Sequence, residues 1–260
     1  MASPFRLPKI YFGVLPIWRR NLLVWRQIAI VSMMANFGEP FFYLLALGYG
    51  LGAFLPSIAG MTYINFLAGG MLAFSAMNTA TMESLYSVFT RMDHQKTWDA
   101  ILHTPLSLDD ILISELIWSA TKALFSIAAM IVVIILLDVS RNFMLLFLFP
   151  FLFLAALTFA ALALNMTMIA KSYDFFLYYF TLVTTPMALV GGVFFPMERL
   201  PAFLQYFATI LPLTHVVMVS RAIVNGVWLK DWWMHSLVLV LYLLVGFYSA
   251  LVLARKRFEA

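Results

Sequence analysis

The sequence predicts an all-α integral membrane protein with six transmembrane helices. An N-terminal interfacial helix, a short cytoplasmic helix and an outer re-entrant helical hairpin complete the expected fold. Three observations predict this class. Only 11% of the 260 residues are charged, against about 25% in ordinary soluble domains. The mean hydropathy is +0.95. The apolar runs recur at the length of roughly 20 residues that a helix needs to cross a bilayer. There are no cysteines, which excludes disulfides and Cys-ligated metals. The net charge of +4 is spread along the edges of apolar runs, where topology signals belong, and forms no nucleic-acid patch.

The first twenty residues, "MASPFRLPKIYFGVLPIWRR", carry Pro4, Pro8 and Pro16 and no uninterrupted apolar core, so they do not read as a signal peptide. Residues 7–27 read instead as an interfacial helix. From Pro16 onward Trp18, Leu22 and Trp25 project on one side, with Arg19, Arg20, Arg26 and Gln27 on the other and Leu23 as the exception. Tryptophans toward lipid and arginines toward headgroups describe a helix lying in the interface. Six stretches are then long and apolar enough to span: 28–50, 62–90, 112–137, 143–169, 175–196 and 232–254.

Between the second and third spans lies "RMDHQKTWDAILHTPLSLDD" at 91–110. Thr97 can cap a short helix, Trp98, Ile101 and Leu102 fall at i, i+3 and i+4, and Pro105 ends it. Asp109 and Asp110 open the third span, where the helix dipole favours acids. The expected product is an amphipathic helix with an aromatic knob, fit either for a plain connector or for docking in a partner's groove. The fourth and fifth spans are joined by "AKSYD" alone. Residues 197–226 are apolar, but Pro201 and Pro212 cut them into pieces too short to cross, and His215 and Arg221 would be costly at the bilayer centre. They read as a re-entrant hairpin.

Six spans place both termini on one side. That side collects Arg6, Lys9, Arg19, Arg20, Arg26, Arg91, Lys96, Lys171, Arg255, Lys256 and Arg257, eleven basic residues. The other side has four: Arg141, Arg199, Arg221 and Lys230. The positive-inside rule therefore predicts cytoplasmic termini.

Several stretches carry a resemblance: "TWDAILHTPLS" (97–107) followed by "ISELIW" (113–118), "GGVFFPMERLP" (191–201) followed by "LPLTH" (211–215), and "NFGEPFFYLLALGYGLG" (36–52). Over essentially the whole chain the sequence resembles the permease subunits of type-2 ABC exporters, most closely their nodulation-protein J branch. The resemblance implies a multi-pass protein of the bacterial inner membrane that exports an amphiphilic substrate, a lipo-oligosaccharide or glycolipid. It implies that 91–110 carries a coupling helix docking in a separate ATPase, with Thr97, Trp98, Asp99, Ile101, Leu102 and Pro105 as coupling residues. It also implies an outer hairpin containing Pro196, Glu198, Pro212 and His215, and a second permease copy. ATP and magnesium would belong to the partner subunit. No lysine here follows a glycine, so this chain has no phosphate-cradling G-x-x-x-x-G-K loop of its own.

Intramembrane acids are functional candidates by default. Glu39, near Asn36 in the first span, and Glu83 in the second are candidates for the translocation pathway or a proton relay; Glu83 could also pair with Arg91. Glu115 and Lys122, seven apart on one face, suggest a mutual pair. Tyr178, Tyr179, Phe194 and Phe195 are candidates for stacking on substrate, and Ala156 and Ala160 for helix packing. His94 and Asp99 form an H-x-x-x-x-D pattern found in some membrane acyltransferases, with nothing nearby to complete a catalytic site. No metal site is expected. A proton-driven transporter using Glu39 and Glu83, and an acyltransferase using His94 and Asp99, are the competing readings.

Overall fold

The computed structural model describes residues 5–8, 13–55, 57–58 and 60–258, and of residues 35–37, 39 and 40 it describes the backbone alone. The chain is all-helical, and among the described residues the only β-type pairing is an isolated bridge between Ile58 and Met61. Helix α1 (Val14–Arg26) precedes α2 (Ala29–Tyr43), which runs on into π-helical turns at Leu44–Leu51. Helix α3 (Tyr63–Met82) continues through π-helical turns at Glu83–Ser87 and Thr90–His94. Then come α4 (Thr97–Leu102), α5 (Leu108–Leu136) and α6 (Leu148–Ile169), the last led in by a 3-10 turn. Helices α7 (Asp174–Tyr179) and α8 (Thr185–Val190) flank another π-helical turn, followed by α9 (Ala202–Ile210), α10 (Pro212–Val224) and α11 (Trp232–Phe258).

Among the described residues, three helical stretches are long and apolar enough to cross a membrane: Leu108–Leu136, Phe143–Ile169 and Trp232–Phe258. The stretches expected as first, second and fifth spans are helical but segmented by wide π turns. The expected hairpin is a helix pair, α9 and α10, bent by 87°. The bend falls at Leu211, which is held extended ahead of Pro212, the first residue of α10.

Helix α6 is the central post, packed against α3, α5 and α11. Its face of Ala155, Ala156, Ala160, Ala161 and Ala163 is fully buried, and Gly246 of α11 sits against Ala161. Small residues let the two backbones close up, as membrane helices require where lipid tails offer no hydrophobic contrast. Side chains then bond across: Asn165 Nδ2 donates to the Gly246 carbonyl at 2.7 Å and Thr158 Oγ1 to that of Leu239 at 3.0 Å. A second close approach joins α3 to α10. A Cβ on Gly69 would lie 2.5 Å from the Arg221 Cα, and one on Gly70 would land on the Val193 carbonyl oxygen.

The two ends of the chain meet at one end of the molecule. The Tyr248 hydroxyl donates to the Phe5 carbonyl, and Arg255 donates to the Arg6 carbonyl and to both oxygens of Asp109. Arg257 donates to the Met168 and Ala170 carbonyls at the end of α6 and forms an ion pair with Asp93. The 91–110 segment is thus clasped at the same end as both termini.

The face of α1 differs from expectation. Trp25 is buried, stacked on Phe125 at 4.6 Å and edge-on to Trp118, and Trp18 Nε1 donates to Thr121 Oγ1 at 3.2 Å. The tryptophans face α5, not lipid, because the Trp18 N–H and the Trp25 ring find partners there, while Trp25 Nε1 donates to Ser32 Oγ of α2 at 3.2 Å; Leu15, Leu23 and Val24 are the exposed apolar residues.

Candidate functional site

The polar residues of the inner core converge beneath α4. Glu83 opens the first π-helical turn after α3 and is buried. Its carboxylate accepts from Lys122 Nζ at 2.6 Å, Trp118 Nε1 at 2.8 Å and Ser87 Oγ at 2.7 Å, and from both terminal nitrogens of Arg91 at 3.1 Å. Glu115 of α5 is buried as well and accepts from Arg91 Nε at 3.0 Å and Nη2 at 2.6 Å. Arg91 is therefore a shared cation, its planar fork matched to Glu115 in bidentate fashion. Asn21 of α1 donates to Glu115 at 3.0 Å, and Arg20 Nη2 donates to Asn21 Oδ1 at 2.7 Å.

Buried charges stand only when paired and hydrogen-bonded, and here every carboxylate oxygen has a donor. The network ties α1, α3, α4 and α5 together, since Trp98 Nε1 reaches Glu115 at a long 3.4 Å. The π turns help assemble it. Wide turns shift the helix register and recur at functional sites, and the first of the two after α3 begins at Glu83 itself.

The structure corrects three expectations. Glu115 and Lys122 do not pair: each reaches a partner brought from the end of α3, which lies nearer than the residue two turns along the same helix. Trp98 is no outward knob: it is fully buried between Glu115 and the ring of Phe258 at 5.6 Å. Thr97 does not cap α4: the cap position is Lys96, in a left-handed conformation without a side-chain cap bond.

The other sequence candidates are scattered. Ile101 and Leu102 are half-buried inward residues of α4, while Ala100, His103, Thr104 and Pro105 are exposed and Asp99 is half-buried. His94 stacks on Tyr173 at 5.0 Å, and among the described residues no hydrogen bond joins it to Asp99. The side chains of Asn36 and Glu39 lie outside the described residues. Tyr178 and Phe195 are exposed, Tyr179 packs on the core, and Phe194 lies between Tyr43 and Phe74. Pro196 and Glu198 line an open hollow with Leu55 and Arg199 at the opposite end of the molecule. His215 Nδ1 lies 2.8 Å from His235 Nδ1, and its Nε2 donates to the Thr209 carbonyl at 3.1 Å. No cluster of three metal-ligating side chains occurs among the described residues.

Sequence reasoning missed Asn21, Ser87 and Trp118. A signal existed for the last: Glu115, Trp118 and Lys122 share one helix face at i, i+3 and i+7. It also missed the capping box at the start of α5, where Ser107 and Asp110 bond each other's backbone N–H.

The family described as ABC-2 type transporter matches residues 14–225. Nodulation protein J of Rhizobium meliloti (strain 1021) is 40% identical over 257 residues, covering 96% of this chain and 98% of that protein. Nodulation protein J of Rhizobium leguminosarum bv. trifolii is 40% identical over 251 residues, 96% of each chain. The inner membrane transport permease YadH of Escherichia coli (strain K12) is 23% identical over 212 residues, 77% of this chain and 78% of that one.

Proposed function

Because the chain belongs to the ABC-2 type transporter family and is a membrane transport permease, we propose that it is the membrane subunit of an ATP-driven exporter. A separate subunit hydrolyses the ATP, with its magnesium, and a second copy of this chain completes the pathway. The protein is a multi-pass component of the bacterial inner membrane with both termini cytoplasmic. The substrate is amphiphilic, of the lipo-oligosaccharide or glycolipid class that the sequence resemblance implies.

The observation that carries this reading is the seating of α4. Trp98 plugs α4 into Glu115, and Glu115 is bonded to Arg91 beyond α3 and to Asn21 of α1. A push on α4 therefore reaches three other elements through the buried Trp98 ring and the ion network behind it rather than through long exposed side chains. The surface open to a pushing partner is Lys96, Ala100, His103 and Thr104. Asp109, two residues beyond the α4–α5 turn, is fastened to Arg255, so the same push also bears on α11. Exposed apolar residues such as Met34 and Phe42 on α2 and Leu177 and Leu182 near α7 support a second copy against that side, where substrate would pass.

The test is a tagged pull-down of the full chain from its native membranes in mild detergent, beside Ala100→Arg. An ATPase is expected with wild type and not with the variant, at equal amounts of inserted permease, because docking would bury a bulky charge that has no partner. Absence of any ATPase from both proteins after crosslinking, with transport by the chain alone under a pH gradient, would overturn the reading.

A further inference from the structure

Between α1 and the ion network lies a cavity of about 400 Å³, lined among others by Arg20, Trp25, Arg91, Gln95, Trp118 and Lys122. That is within the range of ligand-binding pockets, roughly 300–1,000 Å³. Three cations, Arg20, Arg91 and Lys122, face it, against one acid, Glu83. Glu83 is taken by Arg91 and Lys122, and the nearby Glu115 by Arg91. Arg20 is left with no carboxylate within ion-pair distance among the described residues. Its Nη1 is buried and has no hydrogen-bond partner among the described residues. Burial pushes the Arg20 guanidinium below its ordinary pKa, with Glu115 pulling the other way and Arg91 adding to the push. A buried donor left unpaired costs free energy that a ligand can relieve.

We propose that this cavity binds the phosphate of an anionic membrane-lipid headgroup, with Arg20 as its principal donor. Guanidinium and phosphate match in geometry as well as charge. Basic pockets between membrane helices on the cytoplasmic side suit anionic headgroups. The mouth favours a lipid over a soluble phosphate: Val24 and Ile28, both on the cavity wall, are more than half exposed, and the apolar surface runs on to Ile30 and Val31 of α2. Acyl chains leaving the cavity would lie along that surface while the headgroup stays beside Trp25 and Arg20. The inference rests on the membrane placement of the chain and not on ATP-driven export, so either can fail without the other.

The experiment uses the full chain reconstituted with equal phosphatidylglycerol and phosphatidylcholine, extracted in mild detergent and weighed by native mass spectrometry. Wild type should retain one phosphatidylglycerol, and Arg20→Gln should lower its occupancy on the order of ten-fold. Arg19→Gln, which removes the same charge from an exposed position of the same helix, should retain it, and Arg20→Lys should retain it in part. A parallel titration of lipid-free protein with inorganic phosphate, read by thermal unfolding, separates the two sources. Equal retention in wild type and Arg20→Gln would overturn the proposal, as would equal loss in Arg19→Gln. Stabilisation by inorganic phosphate that needs Arg20, without retained lipid, would overturn the lipid assignment.

Discussion

Trp98 carries two duties that its position in a polar loop conceals. It fills the space between α4, α5 and the ring of Phe258, and its N–H faces Glu115. Trp98→Ala should lower stability by about 3–5 kcal/mol, the range for emptying a large buried aromatic site, and leave Glu115 one donor poorer. Thermal unfolding of the purified chain measures this; a shift no larger than that of Ala100→Arg would show that the indole is not a core residue. The charged members of the site were legible in the sequence as unusual residues in apolar surroundings. One pairing was legible too, Glu83 with Arg91 two turns along the same helix; the others were not, because they are set by which helices touch. Glu83 meets Lys122 across 39 positions and Asn21 meets Glu115 across 94, and no local spacing encodes either.

At the scale of elements, hydropathy located the helices well, because burial in lipid demands long apolar runs whatever their packing. Even α4 was legible, at Thr97–Leu102. Two features were not. The π turns after α2, α3 and α7 use the same residue types as α-helix, so composition does not mark them. The amphipathicity of α1 revealed a face but not what the face meets, and tryptophan suits a protein neighbour as well as an interface. The Gly69–Gly70 step of α3 gives a sharper handle. Gly70→Ala puts a methyl onto the Val193 carbonyl, with backbone on both sides and nowhere for it to yield. It should part α3 from the turn before α9, lowering the unfolding temperature and speeding proteolysis near residues 191–199. Ala73→Gly, on the same buried helix, should leave that cleavage rate unchanged; equal cleavage in wild type and Gly70→Ala would refute the contact.

Across the whole molecule, the two ends differ in chemistry. One holds the buried ion network and both termini; the other holds the hairpin and its histidine pair. The Thr209 carbonyl fixes the proton on His215 Nε2, so His215 Nδ1 accepts from His235. Burial, then the charge of His235, pushes the His215 pKa below its ordinary value, and the Thr209 bond opposes them. The unfolded chain thus takes up a proton first as pH falls. Stability from this contact is whole above about pH 6.5 and declines below it, where two N–H groups would face each other. Unfolding temperatures from pH 8 to pH 5 should fall more steeply for wild type than for His215→Gln; parallel curves would exclude the pair as the cause. The Arg255–Asp109 bond has a consequence in time rather than in space. The arginine is made 146 residues after its acid, so the clasp around the 91–110 segment cannot shut until Arg255 has left the ribosome. Until then Trp98 also lacks the cover of Phe258, so the seat of α4 is finished only after α11 has been made.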